Sequence, residues 1–346
     1  MFRSLLTILL VFPFIASAQY GHEWIDYTQK YYEIPIEQTG VYKIDSTTLA
    51  NVLSETGDNL SSVDPRNFQI FGRSEEQYIH VEGEGDGVFN SSDYILFYAK
   101  RNDAWLDSLN YDDPKYILNS SQSFTTDTIR YFLTFNTSIN NRRVTQETDV
   151  AFGAYTASDY CWRTNSEYWV EEYFIGDQYQ GLSRAKFETG EGWASLRFGA
   201  GGSEYASLST ANAWQGAGAP DAIVETVGAG ESNADSSGFG FNHSLTVSYT
   251  DAASSQVDVI DTNFYGYQVI RSVFNIPNAD LPASTTSIKH ESNSIGLPSD
   301  YQTLGEVNLT YPHTFDFENS SSFDFALDPA GAGKHYISVS NFNGST

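Results

Sequence analysis

From Tyr31 onward the sequence is a succession of short β-branched and aromatic runs, each closed by glycine, serine, asparagine or aspartate. This restricts the fold more than any other feature. A chain punctuated so often cannot sustain long amphipathic helices. It can build strands whose alternate side chains face a common core. Early runs are Tyr31-Tyr-Glu-Ile-Pro-Ile36, Asn67-Phe-Gln-Ile-Phe71 and Thr128-Ile-Arg-Tyr-Phe-Leu-Thr-Phe135. The first of these, the turn Gln38-Thr-Gly40 and the run Val41-Tyr-Lys-Ile44 read as a hairpin. Asp45 to Leu53 is the best helix candidate, with Asp45 as cap and Leu49, Val52 and Leu53 on one face. Later runs are Gly192–Phe198, Ala222–Val227, Ser244–Tyr249, Gln256–Ile260, Gly266–Asn275, Gly305–Tyr311 and His335–Val339. Glycine-rich loops are expected at Gly199–Gly202 and Gly228–Gly238. The aromatic cluster from Tyr155 to Phe174 reads as extended structure packed on a sheet. No repeat of fixed period occurs. The predicted fold is all-β: a small N-terminal β domain, then a jelly-roll-like β-sandwich, with few short helices.

Arg3, the apolar stretch Leu5–Ile15 and the small residues Ala16-Ser-Ala18 have the layout of a secretory signal peptide, predicted over 1–18. The β domain is then expected over 19–148 and the sandwich over 149–346. The predicted location is exported: periplasmic, or at the cell surface in association with the outer membrane. No other stretch is apolar and long enough for a membrane helix. Lys and Arg number 18 against 44 Asp and Glu, a net charge of −26, which repels nucleic acid and favours divalent cations. With 15% aromatic and 40% hydrophobic residues the chain has ample material for a core, so this acidity does not signal disorder. The single cysteine, Cys161, rules out an internal disulfide framework, and its aromatic setting predicts a small buried hydrophobe. The last residues read as strand without a closing tail, so the chain is expected to continue into a longer product.

The stretch Val81-Glu-Gly-Glu-Gly-Asp-Gly-Val-Phe-Asn-Ser-Ser-Asp93 carries the densest functional signal. Counted from Glu82, side-chain oxygens fall at Glu82, Glu84, Asp86, Asn90 and Asp93, with the Val88 carbonyl between them and Gly87 at the sharp turn. This spacing is close to the twelve-residue calcium loop of EF-hands, and Ca2+ in a structural role is the expected cofactor. Glu stands where Asp is usual at the start, and Asp where Glu is usual at the end. Both flanks read as strands, not helices. The alternative is a solvated acidic hairpin loop whose glycines serve the turn alone.

Nucleophilic catalysis needs a base beside the nucleophile. The six histidines are scattered without zinc-like spacing, and no G-x-S-x-G motif occurs. Trp193 and Trp214, in glycine-rich surroundings, are candidates for a sugar-binding platform, with sandwich packing as the alternative.

Gly40-Val-Tyr-Lys-Ile44, Asp64-Pro-Arg-Asn-Phe-Gln-Ile-Phe-Gly72, Val81 to Asp93 running into Tyr94-Ile-Leu-Phe-Tyr98 with Arg101-Asn102, and Thr126-Asp-Thr-Ile-Arg-Tyr-Phe-Leu-Thr134 occur in one order. Together they resemble the N-terminal region of the sortase-like component of the Bacteroidota type IX secretion system, which is related to gingipain-type cysteine peptidases. The resemblance covers residues 20–136 and, more loosely, 155–342. It implies β domains ahead of a caspase-like peptidase domain with a His and Cys pair, acting on cargo proteins among outer-membrane secretion components. No catalytic segment of that family is present in 1–346. The implied function is a non-catalytic portion that positions the peptidase domain and contacts secretion partners. The alternative is a calcium-stabilised adhesin or carbohydrate-binding module.

Overall fold

The run Tyr94–Ala99 buries Ile95, Phe97 and Ala99 and turns Tyr94, Leu96 and Tyr98 outward, the two-residue period of a strand with one face in a core. It is one of seven strands in the first part of the computed structural model, which describes residues 23–138, 140–177, 185–234, 240–297, 299–329 and 334–344. The predicted signal peptide, 1–18, lies outside the described residues. The seven are β1 (Tyr32–Ile36), β2 (Gly40–Asp45), β3 (Phe68–Gly72), β4 (Glu75–Glu76), β5 (Ile79–Val81), β6 (Tyr94–Ala99) and β7 (Ile129–Phe135). They form two antiparallel sheets, ordered β1-β7-β3-β4 and β2-β6-β5. Helix α1 (Ser46–Glu55) joins them, capped by the Asp45 carboxylate, which accepts the Thr48 N–H at 2.7 Å. Leu49 and Leu53 enter a core with Phe68, Ile70, Phe97, Tyr131 and Leu133, while Val52, predicted on the same face, is exposed.

The predicted hairpin of β1 and β2 does not form. β1 pairs with β7, and β2 with β6, in separate sheets. β7 and β6 are dense apolar runs that need a neighbour on each side, and β1 and β2 each supply one edge. Pro35, which has no N–H to give, is tolerated because β1 is an edge strand.

The chain divides into two compact units: residues up to Lys100 with Ile129–Gln146, and Arg101–Thr128 with Glu147–Thr346. Residues 101–128, read from the sequence as part of the 19–148 domain, therefore pack with the second unit. Its strands are β8 (Cys161–Tyr168), β9 (Glu172–Phe174), β10 (Gly192–Ala194), β11 (Ser203–Ser209), β12 (Ala222–Gly230), β13 (His243–Thr250), β14 (Gln256–Phe264), β15 (Val269–Ile276), β16 (Thr285–Ser292), β17 (Gln302–His313), β18 (Asp316–Ser320) and β19 (Ser340–Phe342).

Two four-stranded antiparallel sheets, β8-β17-β12-β15 and β11-β16-β13-β14, enclose a core that includes Val224, Val247, Ile276, Ile288, Leu304, Val307 and Leu309. The chain crosses between the sheets at every step except the β13–β14 hairpin, which is the double Greek key of a jelly roll. The bulge between β12 and β17 leaves Gly305 of β17 unpaired, opposite Val227 and Gly228, and a Cβ at Gly228 would lie 2.8 Å from the Thr303 carbonyl.

β11 and β16 are absent from the predicted strands, and the predicted terminal strand His335–Val339 is replaced by an isolated bridge at Tyr336 followed by β19. The predicted loop Gly228–Gly238 starts later than expected, since β12 runs to Gly230, and 235–239 lie outside the described residues. No helix among the described residues is long and apolar enough to cross a membrane.

The segment 111–121 is fastened to the sandwich. Buried Glu306 accepts the Ser120 N–H at 3.1 Å and the Ser120 hydroxyl at 2.6 Å, and Asn119 Nδ2 donates to the Trp169 carbonyl at 3.0 Å. Gly305 makes room for this crossing: a Cβ there would meet the Leu118 carbonyl at 2.1 Å.

Candidate functional site

The acidic loop joins β5 to β6, which pair with Val81 opposite Ile95, so its flanks are strands as the sequence predicts. Glu82 N–H donates to the Tyr94 carbonyl at 2.9 Å and closes the hairpin. A short 3-10 turn spans Glu84–Asp86 between Gly83 and Gly87, at φ +82° and +79°. Gly83 is required twice, by its positive φ and because a Cβ would fall 2.3 Å from the Asp93 carboxyl.

Asp86, Val88, Asn90 and Asp93 close on one another. Asp93, 5% exposed, accepts the Asn90 N–H at 2.7 Å; Asp86 accepts the Val88 N–H at 2.9 Å and Asn90 Nδ2 at 3.2 Å. Asn90 Nδ2 also reaches the Val88 carbonyl at 3.5 Å. Glu82 and Glu84 are committed elsewhere: Glu82 to His80 Nε2 at 3.0 Å, and Glu84 to Arg143 Nε at 2.8 Å. Among the described residues no group of three or more His, Cys, Asp or Glu is assembled to hold a metal ion. The donors are hard oxygens suited to calcium, yet in this arrangement they answer to the loop's own N–H groups and to a guanidinium.

Sequence reasoning missed Arg143, which lies in a polar stretch taken for a boundary. Its guanidinium also donates to the carbonyls of Phe68 at 3.0 Å, Arg66 at 3.0 Å and Pro65 at 3.3 Å. This single cation ties the loop to the start of β3. Its main chain is held by a parallel bridge to Ile79, a contact that no local sequence pattern announces.

Cys161 is fully buried, its Sγ donating to the His313 carbonyl at 3.5 Å, and burial pushes the thiol up to about 11, so it is no thiolate near neutral pH. The His313 ring faces the Thr314 carbonyl and, at 3.5 Å, Glu318. One hydroxyl does meet an imidazole, Ser158 with His335 at 3.0 Å. There the second ring nitrogen faces the main-chain carbonyl of Asp328, not a carboxylate.

The buried interior of the jelly roll holds two further histidines. His243 Nδ1 lies 2.7 Å from Asp300 Oδ1 and Nε2 lies 2.9 Å from the Ser232 carbonyl, with both side chains of the pair at 0% exposure. Each ring nitrogen thus has an oxygen partner within the core. His290 is buried with no partner at Nε2, and desolvation lowers it to about 3.

Of the two tryptophans considered for a sugar platform, Trp214 stacks on Tyr160, with centroids 5.0 Å apart, and covers Gly216. Trp193 meets Tyr173 edge-on at 5.5 Å and lines a recess of about 260 Å3 with Phe124 and Val170.

No family model matches the chain, and no curated protein matches it. Among solved structures, dimeric latent PorU from Porphyromonas gingivalis is similar at 12% identity and a TM-score of 0.45, over 83% of this chain and 24% of that one. The chain thus spans about a quarter of PorU's length. A CBM61 domain in complex with β-1,4-galactotriose is similar at 14% identity and a TM-score of 0.23, over 43% of this chain and 88% of that one. The xylan-binding module CBM15 is similar at 12% identity and a TM-score of 0.24, over 44% of this chain and 92% of that one.

Proposed function

We propose that this chain is the non-catalytic N-terminal portion of an exported sortase-like, gingipain-type cysteine peptidase of the type IX secretion system. It would position the peptidase domain and contact outer-membrane secretion components and cargo proteins. The observation that carries this reading is where the family-like segments lie. Gly40–Ile44, Phe68–Gly72, Tyr94–Tyr98 and Ile129–Thr134 supply β2, β3, β6 and β7 of one unit, and their side chains share one core. An ordered set of short matches that builds one folded body is better support than the same matches scattered over loops. The closed environment of Cys161 fits a supporting role.

The reading frame beyond Thr346 is the first test: it should encode a caspase-like domain with a His and Cys pair, and a frame without one overturns the reading. In that whole protein, Cys161→Ser should leave kcat/KM for peptide cleavage within about twofold. A loss of a hundredfold or more would place chemistry at Cys161 and defeat the non-catalytic assignment.

A further inference from the structure

At one end of the jelly roll, the β14–β15 turn, the 113–117 segment and residues 177 and 189 enclose an open groove of about 670 Å3. That lies inside the range of about 300–1,000 Å3 usual for small-ligand sites. We propose that this groove binds a short neutral oligosaccharide.

The walls are built before any ligand arrives. At the turn, fully buried Asn242 accepts the Gly266 N–H at 2.8 Å and donates to Asn233 Oδ1 and the Ala234 carbonyl, both at 3.1 Å. On the opposite wall, Arg271 donates from Nε to the Lys115 carbonyl at 3.1 Å and from Nη2 to the Ile117 carbonyl. The third side is laced by Gly190 N–H to the Tyr116 carbonyl at 3.0 Å and Asp177 N–H to the Thr189 carbonyl at 3.2 Å. A preorganised wall loses little entropy on binding.

What these walls present is chiefly aromatic and polar, with the Asp177 carboxylate among the lining groups. Tyr265 is 47% exposed, and Tyr116 and Tyr267 stand half-buried, the latter stacked on Phe174 at 6.3 Å. Their phenols, the Thr189 hydroxyl and the Gln268 amide have no hydrogen-bond partner among the described residues. The nearby cations are already spoken for: Arg271 by two carbonyls, and Lys115 by Asp113 at 2.8 Å, which lowers that carboxyl and raises the lysine.

An anionic ligand would face the Asp177 carboxylate with Lys115 already paired to Asp113, in a chain of net charge −26. A wholly apolar ligand would leave the hydroxyls and the amide unpaired. A neutral sugar satisfies both requirements, its C–H faces on the tyrosine rings and its hydroxyls on Thr189, Gln268 and the Asp177 carboxylate.

Calorimetry on the whole chain with cellotetraose, xylotetraose, β-1,4-galactotetraose and mannotetraose, against trigalacturonate, tests this. At least one neutral glycan should bind, and Tyr265→Ala and Gln268→Ala should each weaken it tenfold or more, about 1.4 kcal/mol, with an unchanged melting temperature. Trp193→Ala, in the separate recess, should bind as the parent does. The proposal is overturned if no neutral glycan binds at about 10 mM, if trigalacturonate is preferred, or if Trp193→Ala abolishes binding that Tyr265→Ala retains. None of these outcomes bears on the peptidase-platform reading, which stands or falls on the downstream frame.

Discussion

The acidic loop of the first unit and the interior of the jelly roll handle charge in opposite ways. In the loop, Glu82, Glu84 and Asp86 lie near water, with Arg143 the main counter-charge. In the jelly roll one imidazole and one carboxylate, His243 and Asp300, are sealed at zero exposure and bonded to each other. Solvent screens the first arrangement, so each of its ion pairs adds roughly 0–1 kcal/mol. The second is unscreened, and removing either partner leaves the other without its hydrogen bond in a low-dielectric core. Charge density along the sequence is therefore a poor guide to where electrostatics governs stability.

The sharpest way to break this contrast is at His243. His243→Leu leaves Asp300 buried without its partner and should cost about 3–5 kcal/mol, read as a lower urea midpoint. Asp300→Leu should cost a similar amount. The double variant should lose less than either single one, because no buried polar group is left without its partner. Single losses below about 1 kcal/mol would put the pair on the same footing as the exposed loop.

His290 offers a second, pH-dependent test. Its folded-state value is depressed from 6.5 to about 3 by desolvation. The unfolded chain takes up a proton as pH falls below about 6.5 while the folded chain does not, so this histidine withdraws stability between those two values. The slope approaches about 1.4 kcal/mol per pH unit. His290→Leu removes the titration and an unpaired Nε2, so it should keep the parent's stability at neutral pH and lose less of it between about pH 6 and 4. Parallel pH profiles for parent and variant would show that the imidazole is hydrated and the site not dry.

How much of this was legible follows from the range over which each feature acts. The Asp45 cap and the strand flanks of the acidic loop are local, and the sequence displays them. β11 and β16 escaped because each has only one large apolar residue facing inward, Leu208 and Ile288, beside Ala206 in the first and Thr286, His290 and Ser292 in the second. The hydrophobic alternation that marks a strand is thus blurred there. The β1–β2 hairpin was misread because turn residues license a hairpin without requiring it, and two apolar strands far along the chain competed for the same edges. Arg143 with Glu84 and His243 with Asp300 join residues 59 and 57 positions apart, and no spacing rule reaches that far. The groove gathers Tyr116, Thr189 and Tyr265 from three separate segments, whereas the sequence pointed to tryptophans.

The smallest expected effect lies in the loop itself, and it decides what holds the loop. With Arg143 in place, Glu84 is occupied by a guanidinium, and the remaining oxygens accept from loop N–H groups, so millimolar calcium should leave the melting temperature of the parent unchanged. Arg143→Ala should cost about 1 kcal/mol. It also frees Glu84 beside Asp86 and Asn90, and a calcium-dependent rise in melting temperature should appear in that variant and vanish again with Asp86→Ala. A parent protein stabilised by calcium toward about 2.7 kcal/mol, the value for a site held a hundredfold above its Kd, would show that Glu82, Glu84, Asp86, Asn90 and Asp93 do converge. In that case the exposed loop would rank beside the buried pair as an electrostatic anchor, and the contrast between the two units would fail.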